Sequence, residues 1–271
     1  MGQKSKVFLF DGEDPEMQGA SAKARETFKY FWREVAWERR RIVPGLDLAC
    51  VKAPFSDGEA DPVQEEHPRV EQMWLSDVDF DGRYVSGVLL NAPNWIKSIK
   101  QGDEARLSLG EISDWMYAIG GEVYGAYTVN LMRARMGTRE RAEHDAAWGL
   151  NFGDPANIRV VPAEKRTGFL KGLFGKKENA EIGEHPMSEN MGPALAEQLA
   201  QMPEMIHEKD EKGWTLLHHQ SLAGSAASVK VLLEMGAKVN AKANDGMTPL
   251  GLAKSLGWEV VVGMLEKGGG R

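Results

Sequence analysis

Cysteine is almost absent from this chain: Cys50 is the only one in 271 residues. No disulfide can close within the chain, and a thiolate metal site would need other ligands. Leu48, Ala49 and Val51 surround Cys50 with apolar side chains, so it reads as a buried thiol in a strand, in keeping with a reducing cytoplasm. There is no run of about 18 apolar residues, which excludes a membrane-spanning helix. Val7-Phe8-Leu9-Phe10 is too short for a signal-peptide core, and Lys6 stands where myristoylation requires Ser or Thr. Positive charge is in short supply: 33 Lys and Arg against 40 Asp and Glu leave a net charge of −7. A general nucleic-acid binder needs a basic surface to neutralise phosphate, so that class is excluded. Gly168 to Gly175 lacks the Lys-Ser/Thr ending of a phosphate-binding loop, and no His or Cys spacing suits a metal. Neither a cofactor nor a metal is expected.

The acidity is uneven. Residues 190–271 carry 8 Lys and Arg against 9 Asp and Glu, nearly balanced. The surplus lies earlier, notably in Asp57, Glu59, Asp61, Glu65, Glu66 and Glu71. Such a run is a solvated acidic loop or a docking surface for a basic partner.

Apolar residues recur at helical spacing from 20 to 41 (Ala24, Phe28, Phe31, Trp32, Val35, Ala36), and Arg39-Arg40-Arg41 then suits a helix C-terminus. Strands follow at 48–55, 70–78 and 84–90, the last two joined by the turn Asp79-Phe80-Asp81-Gly82. In the second of these, alternation places Val70, Gln72, Trp74, Ser76 and Val78 on one face. Trp95 to Ile99 is expected as one helical turn. Further strands are expected at 103–109, 112–118 and 123–129, the last two around the Gly120-Gly121 turn. Helical segments follow from 131 to 147. The pattern predicts an α+β domain with a mostly antiparallel, meander-like sheet. Residues 164–192 lose all periodicity and are expected as a linker, within which Gly168 to Lys177 mixes apolar and basic residues. Ala194 to Met202 is expected as a helix.

The last third repeats itself. Gly213-Trp214-Thr215-Leu216-Leu217-His218 is answered 33 residues later by Gly246-Met247-Thr248-Pro249-Leu250-Gly251. Val231-Leu232-Leu233-Glu234-Met235-Gly236 is answered by Gly263-Met264-Leu265-Glu266-Lys267-Gly268, one position out of phase. This region, about 194–270, resembles the ankyrin repeat family. The resemblance implies a short all-α interaction module behind the α+β domain. It also makes His218 a structural residue that bonds between neighbouring turns. Gly251 replaces that histidine in the second repeat, as a degenerate terminal repeat would. Thr215 and Thr248 stand where a hydroxyl caps a helix, and Pro249 suits the first turn. Two repeats bury little, so two supports are expected together: the helix before them as a third layer, and the first domain for the repeats to lean on.

The first part is also familiar. Glu71-Gln72-Met73-Trp74-Leu75, Gly87 to Pro93, Ile112-Ser113-Asp114-Trp115-Met116-Tyr117, Gly125-Ala126-Tyr127-Thr128 and Trp148 to Pro155 resemble a bacterial family of unknown function that occurs alone or joined to ankyrin repeats. That resemblance implies a bacterial cytoplasmic protein and gives no activity. The expected organisation is an α+β domain over 1–163, a linker over 164–192 and the repeats with a cap helix over 193–271.

Chemistry is thinly represented. His218 and His219 diverge by about 100° on a helix and cannot easily share one ion. Asp114 and Tyr117 fall on opposite faces of one strand; a carboxylate near tyrosines is either a general base or a structural acceptor. His144-Asp145 is adjacent in sequence and is not expected to form a dyad. The expected role is therefore non-catalytic: an interaction protein that holds a protein partner, in its most specific form an immunity protein or antitoxin holding a toxin. An enzyme or ligand sensor with a site in the first domain is the alternative. Trp95, Asp114 and Tyr117 in the first domain, and Trp214, Asp245 and Met247 at the repeat turns, are the candidate contacts. Trp214 is the exposed aromatic anchor among them.

Overall fold

The protein is described by a computed structural model that covers residues 14–58, 70–163 and 182–271. It divides into two compact units. One comprises the chain up to Phe31 together with Arg41–Val160, and the other Trp32–Arg40 together with Val161–Arg271.

The first unit opens with helix α1 (Pro15–Glu38), which contributes residues to both units. Pro15 occupies the first turn and Asp14 Oδ1 accepts the N–H of Glu16 at 2.9 Å, so the helix starts with its orphan amides served. It ends before the three arginines expected to close it. Ala24, Phe28 and Phe31 are fully buried. Phe28 meets Phe80 edge-on at 5.4 Å and Phe31 meets Trp115 at 5.8 Å. Trp115 Nε1 donates to the Ala24 carbonyl at 2.7 Å.

Six strands form one antiparallel sheet: β1 (Leu48–Phe55), β2 (Glu71–Phe80), β3 (Tyr84–Leu89), β4 (Glu104–Ser108), β5 (Asp114–Ile119) and β6 (Glu122–Gly125). Their order is β4-β3-β2-β1-β5-β6, so the chain crosses back after β4 to the other side of β1 instead of continuing a simple meander. β2 breaks the expected single alternation. Ser76 pairs with Val88 but Asp79 with Ser86, and Asp77 has φ 49°, which is a β-bulge. The extra residue returns Val78 and Phe80 to the buried face of Met73 and Leu75. Opposite the bulge, a Cβ on Gly87 would lie 2.6 Å from the Ser76 carbonyl oxygen, so only glycine fits.

Gly120 and Gly121 (φ 56° and 78°) make the two-residue turn between β5 and β6. The strand expected over 123–129 then stops at Gly125, and Tyr127–Arg135 is helix α2. Helix α3 (Thr138–Trp148) ends at Gly149, φ 66°. Cys50, Met116, Ala118, Val129 and Phe152 form the core on this side of the sheet. The following segment closes the β6 edge: Val123 N–H bonds the Asn151 carbonyl at 3.0 Å and Gly125 N–H the Arg159 carbonyl at 2.7 Å. The helical turn expected at Trp95 is absent. Its loop is held by acids instead: Glu71 Oε1 accepts the Asn94 N–H at 2.9 Å, and Asp57 Oδ1 accepts the Ser98 N–H at 2.9 Å. Two members of the acidic run are therefore structural acceptors, and the others, Glu59 to Glu66, lie outside the described residues.

The second unit contains α4 (Pro186–Gln201), a 3-10 turn (Pro203–Ile206), α5 (Leu216–Leu222), α6 (Ala226–Glu234), α7 (Pro249–Ser255) and α8 (Glu259–Lys267). Leu195 and Leu199 of α4 share a buried cluster with Leu217, Val229, Leu232, Leu250, Val261 and Leu265. α4 is thus the third layer, and it begins earlier than expected: residues 186–192 of the anticipated linker are helical. Gly168 to Lys177 lies outside the described residues. The Trp32–Arg40 segment of α1 is bonded into this unit. Arg33 Nη1 donates to the Gly183 carbonyl at 2.9 Å, Trp37 stacks on His185 at 5.4 Å, and Arg40 Nη1 donates to Gln220 Oε1 at 3.1 Å.

Candidate functional site

The 33-residue period appears in three dimensions as a ladder between two turns. Lys209 Nζ donates to the Lys242 carbonyl at 2.8 Å, and Asn244 Nδ2 to the Glu211 carbonyl at 2.9 Å. Asp210 Oδ1 accepts the N–H groups of Lys212 and Trp214, and Asp245 Oδ1 accepts that of Met247 at 3.0 Å. Gly213 and Gly246 supply the left-handed residue each turn needs, at φ 75° and 83°. Both tips are therefore shaped before anything binds, which lowers the entropy lost on binding.

His218 ties one turn to the next. Its Nδ1 accepts the Thr215 N–H at 3.0 Å, which leaves the proton on Nε2, 3.3 Å from the Met247 carbonyl it serves. Gly251 has no such side chain, and there the Thr248 hydroxyl accepts the Gly251 N–H at 3.2 Å. His219 pairs with Asp210 at 2.9 Å. Trp258 Nε1 bonds the Leu222 carbonyl at 3.0 Å, and its ring occupies the space a Cβ on Gly224 would need.

Burial holds the His218 pKa below the usual histidine value. A depressed folded pKa gives stability that is present above the unfolded value of about 6.5 and lost as pH falls through the folded value, at up to about 1.4 kcal/mol per pH unit. Burial depresses His219 as well, with Asp210 opposing it, and adds the same sign. Urea midpoints are expected to fall between pH 7 and 5, and to fall less steeply in His218→Gln. An equally steep fall in that variant would remove His218 as the cause.

Trp214 is not the exposed anchor the sequence suggests. It is 5% exposed, beneath Lys212 at 5.4 Å and against the His218 and His219 rings. Turn position alone does not set exposure; here the ring fills the space behind the Asp210 turn. Asp245 is exposed, and Met247 is half-buried.

In the first unit, Asp114 is 0% exposed. Its carboxylate accepts the N–H of Trp115 (2.9 Å), Tyr127 (2.9 Å) and Thr128 (2.7 Å) and the Thr128 hydroxyl (2.6 Å). It is the acceptor that starts α2 at the end of β6. Burial raises its pKa against the pull of those bonds and of Lys52, its cross-strand neighbour. Tyr117 is buried on the other sheet face, stacked between Trp115 and Tyr124, and its hydroxyl donates to the Val160 carbonyl at 3.0 Å. Neither is available as a surface contact or a general base. Trp95 is half-buried, beside Asn94 on Glu71.

His144 and Asp145, not expected to form a catalytic dyad, do touch: Nδ1 lies 2.9 Å from Asp145 Oδ1. Asp145 is held by buried Arg133 through two bonds of 2.8 and 2.6 Å, and Arg133 also bonds Asn130 and the Gly153 carbonyl. The two side chains turn toward each other at the end of α3, which sequence spacing does not reveal. His144 is 15% exposed, and its ring packs against Phe152. Among the described residues no group of three or more His, Cys, Asp or Glu converges as a metal site, and no helix is long and apolar enough to cross a membrane.

Comparison with known proteins bears on both units. The family described as an uncharacterized protein conserved in bacteria (DUF2314) matches residues 14–152, and the ankyrin repeat matches residues 212–244. A Neisseria meningitidis serogroup B protein named as an ankyrin repeat protein (NMB1133/NMB1171) is 41% identical over 263 residues, 97% of each chain. The uncharacterized protein YegJ of Escherichia coli K12 is 36% identical over 84 residues, 31% of this chain and 49% of YegJ. The crystal structure of the human ASB11 ankyrin repeat domain matches 32% of this chain and 41% of that one, at 27% identity and a TM-score of 0.26.

Proposed function

We propose, from the premise that this chain belongs to the bacterial DUF2314 family and carries an ankyrin repeat behind that domain, that it works by holding another protein and not by catalysis. The observation that carries this reading is the pair of turns laddered together through Lys209, Asn244 and His218, with Asp245 exposed in the second of them. Rigid, hydrogen-bonded turns with exposed tips suit recognition and offer no chemistry. In its finer form the protein is a cytoplasmic immunity protein or antitoxin, and its partner a toxin. The net charge of −7 supports a basic partner and charge-steered association.

Affinity purification of tagged full-length protein from its host tests this, beside a tip variant carrying Asp245→Arg and Met247→Ala. One stoichiometric partner retained by the wild type and lost by the tip variant is expected, with an association rate that falls as salt is added. Equal retention by both would move the contact away from the turns. No partner in either would sink the reading and favour an enzyme or ligand sensor. A captured partner that leaves growth unchanged when expressed alone would rule out the toxin.

A further inference from the structure

We propose that β4 is a self-pairing edge: a second copy of this chain binds antiparallel along it, with Glu104 opposite Arg106 of the partner subunit and Arg106 opposite Glu104 of the partner subunit. Among the described residues β4 ends the sheet, while the edge at β6 is closed by the segment through Asn151 and Arg159. The direction of the edge groups follows from the β3 ladder. Leu89 N–H bonds the Asp103 carbonyl at 2.9 Å, and Gly87 faces Ala105 and Val85 faces Leu107. In an antiparallel pair bonded and non-bonded positions alternate, so the N–H and C=O groups of Glu104, Arg106 and Ser108 point away from β3. The Ser108 N–H is taken by Glu111 Oε2 at 2.7 Å. Among the described residues, Glu104 and Arg106 therefore define the available edge.

Their side chains set the register. Both residues are exposed, and Arg106 lies 4.1 Å above the Tyr84 ring with one nitrogen on Asp81 at 2.8 Å, which fixes the guanidinium beside the edge. With Ala105 opposite Ala105 of the partner subunit, the outward groups of Glu104 and Arg106 face each other and both cross-strand pairs are opposite in charge. A slip by one residue sets outward groups against inward ones. A slip by two sets Arg106 against Arg106 of the partner subunit, or Glu104 against Glu104 of the partner subunit, and like charges directly opposite repel. Short, charged edges deter foreign strands. In this one register the same charges attract a second copy. So short an edge buries little surface, which makes the dimer a transient one.

Sedimentation of the full chain at rising concentration tests the proposal. A monomer–dimer equilibrium weakened by salt is expected. Glu104→Arg or Arg106→Glu alone should weaken it by about tenfold or more, since two attractive pairs become repulsive, and the two together should restore it. Ala105→Cys supplies a readout independent of those charges. Opposed residues at a non-bonded position stand about 4.5 Å apart, within disulfide reach, and the native Cys50 is buried. Oxidation should link two copies through position 105. A wild type that stays monomeric at every concentration, single variants that dimerise as well as wild type, or an Ala105→Cys protein that forms no linked dimer would each overturn the proposal.

Discussion

Asp114→Ala is expected to destabilise the first unit by about 3–5 kcal/mol, the range for removing one member of a buried, fully bonded charged group. The loss goes beyond one interaction. Four donors converge on this carboxylate, three of them backbone N–H groups, and alanine leaves all four buried without an acceptor. Two of those N–H groups belong to the first turn of α2, which starts from Ala126 in a left-handed conformation, φ 57°. Losing the acceptor exposes that strain, and β6 and α2 should open together. Asp114→Asn keeps a carbonyl for some of the donors but turns an N–H₂ toward the others, so it should fall between alanine and wild type. Urea denaturation followed by tryptophan fluorescence gives the size of the effect, since Trp115 lies beside the site. An alanine variant within 1 kcal/mol of wild type (about the worth of one ordinary hydrogen bond) would show that Asp114 is not the organising acceptor.

Trp37→Ala is expected to cost about 3–5 kcal/mol as well, the usual range for truncating a buried tryptophan, and to do so in the second unit. Trp37 is fully buried, its ring stacked on His185 and capped by the Arg40 guanidinium at 4.9 Å. His185 in turn caps α4, accepting the Met187 N–H through Nδ1 at 3.1 Å. The expected signature is faster amide hydrogen exchange in α4 and α5, from a substitution about 150 residues earlier in the chain. Unchanged exchange in those helices would show that the repeats do not depend on the α1 segment.

Much of this architecture was legible because its causes are local. β1 runs from Leu48 to Phe55 as its apolar run suggests, the Gly120-Gly121 turn needs only its own two glycines, and the repeat carries its turn and cap residues in its own sequence. What was not legible is decided by residues far away in sequence. Val123 to Val129 follows the Gly120-Gly121 turn as a returning strand would, but Asp114 of β5 offers two N–H groups of that stretch a better partner than another strand would. The bulge at Asp77 depends on Gly87 across the hairpin. The start of α4 depends on Arg33, Glu34 and Trp37 of α1 as much as on its own residues. For the candidate contacts, sequence identified the turns but not which side chains face outward: Asp245 does and Trp214 does not. The meeting of His144 with Asp145 depends on rotamers fixed by Arg133, so it has no signature in spacing.

The division of α1 sets a timetable for synthesis. Arg33 and Arg40 bond residues 150 and 180 positions later. At roughly 5–20 residues per second of elongation, the end of α1 is made roughly 8–36 s before Gly183 and Gln220 exist. Throughout that interval Trp37 has none of its final neighbours from α4 or α5. A nascent chain of this kind carries an apolar face that a chaperone can hold, and one halted before α4 never covers it.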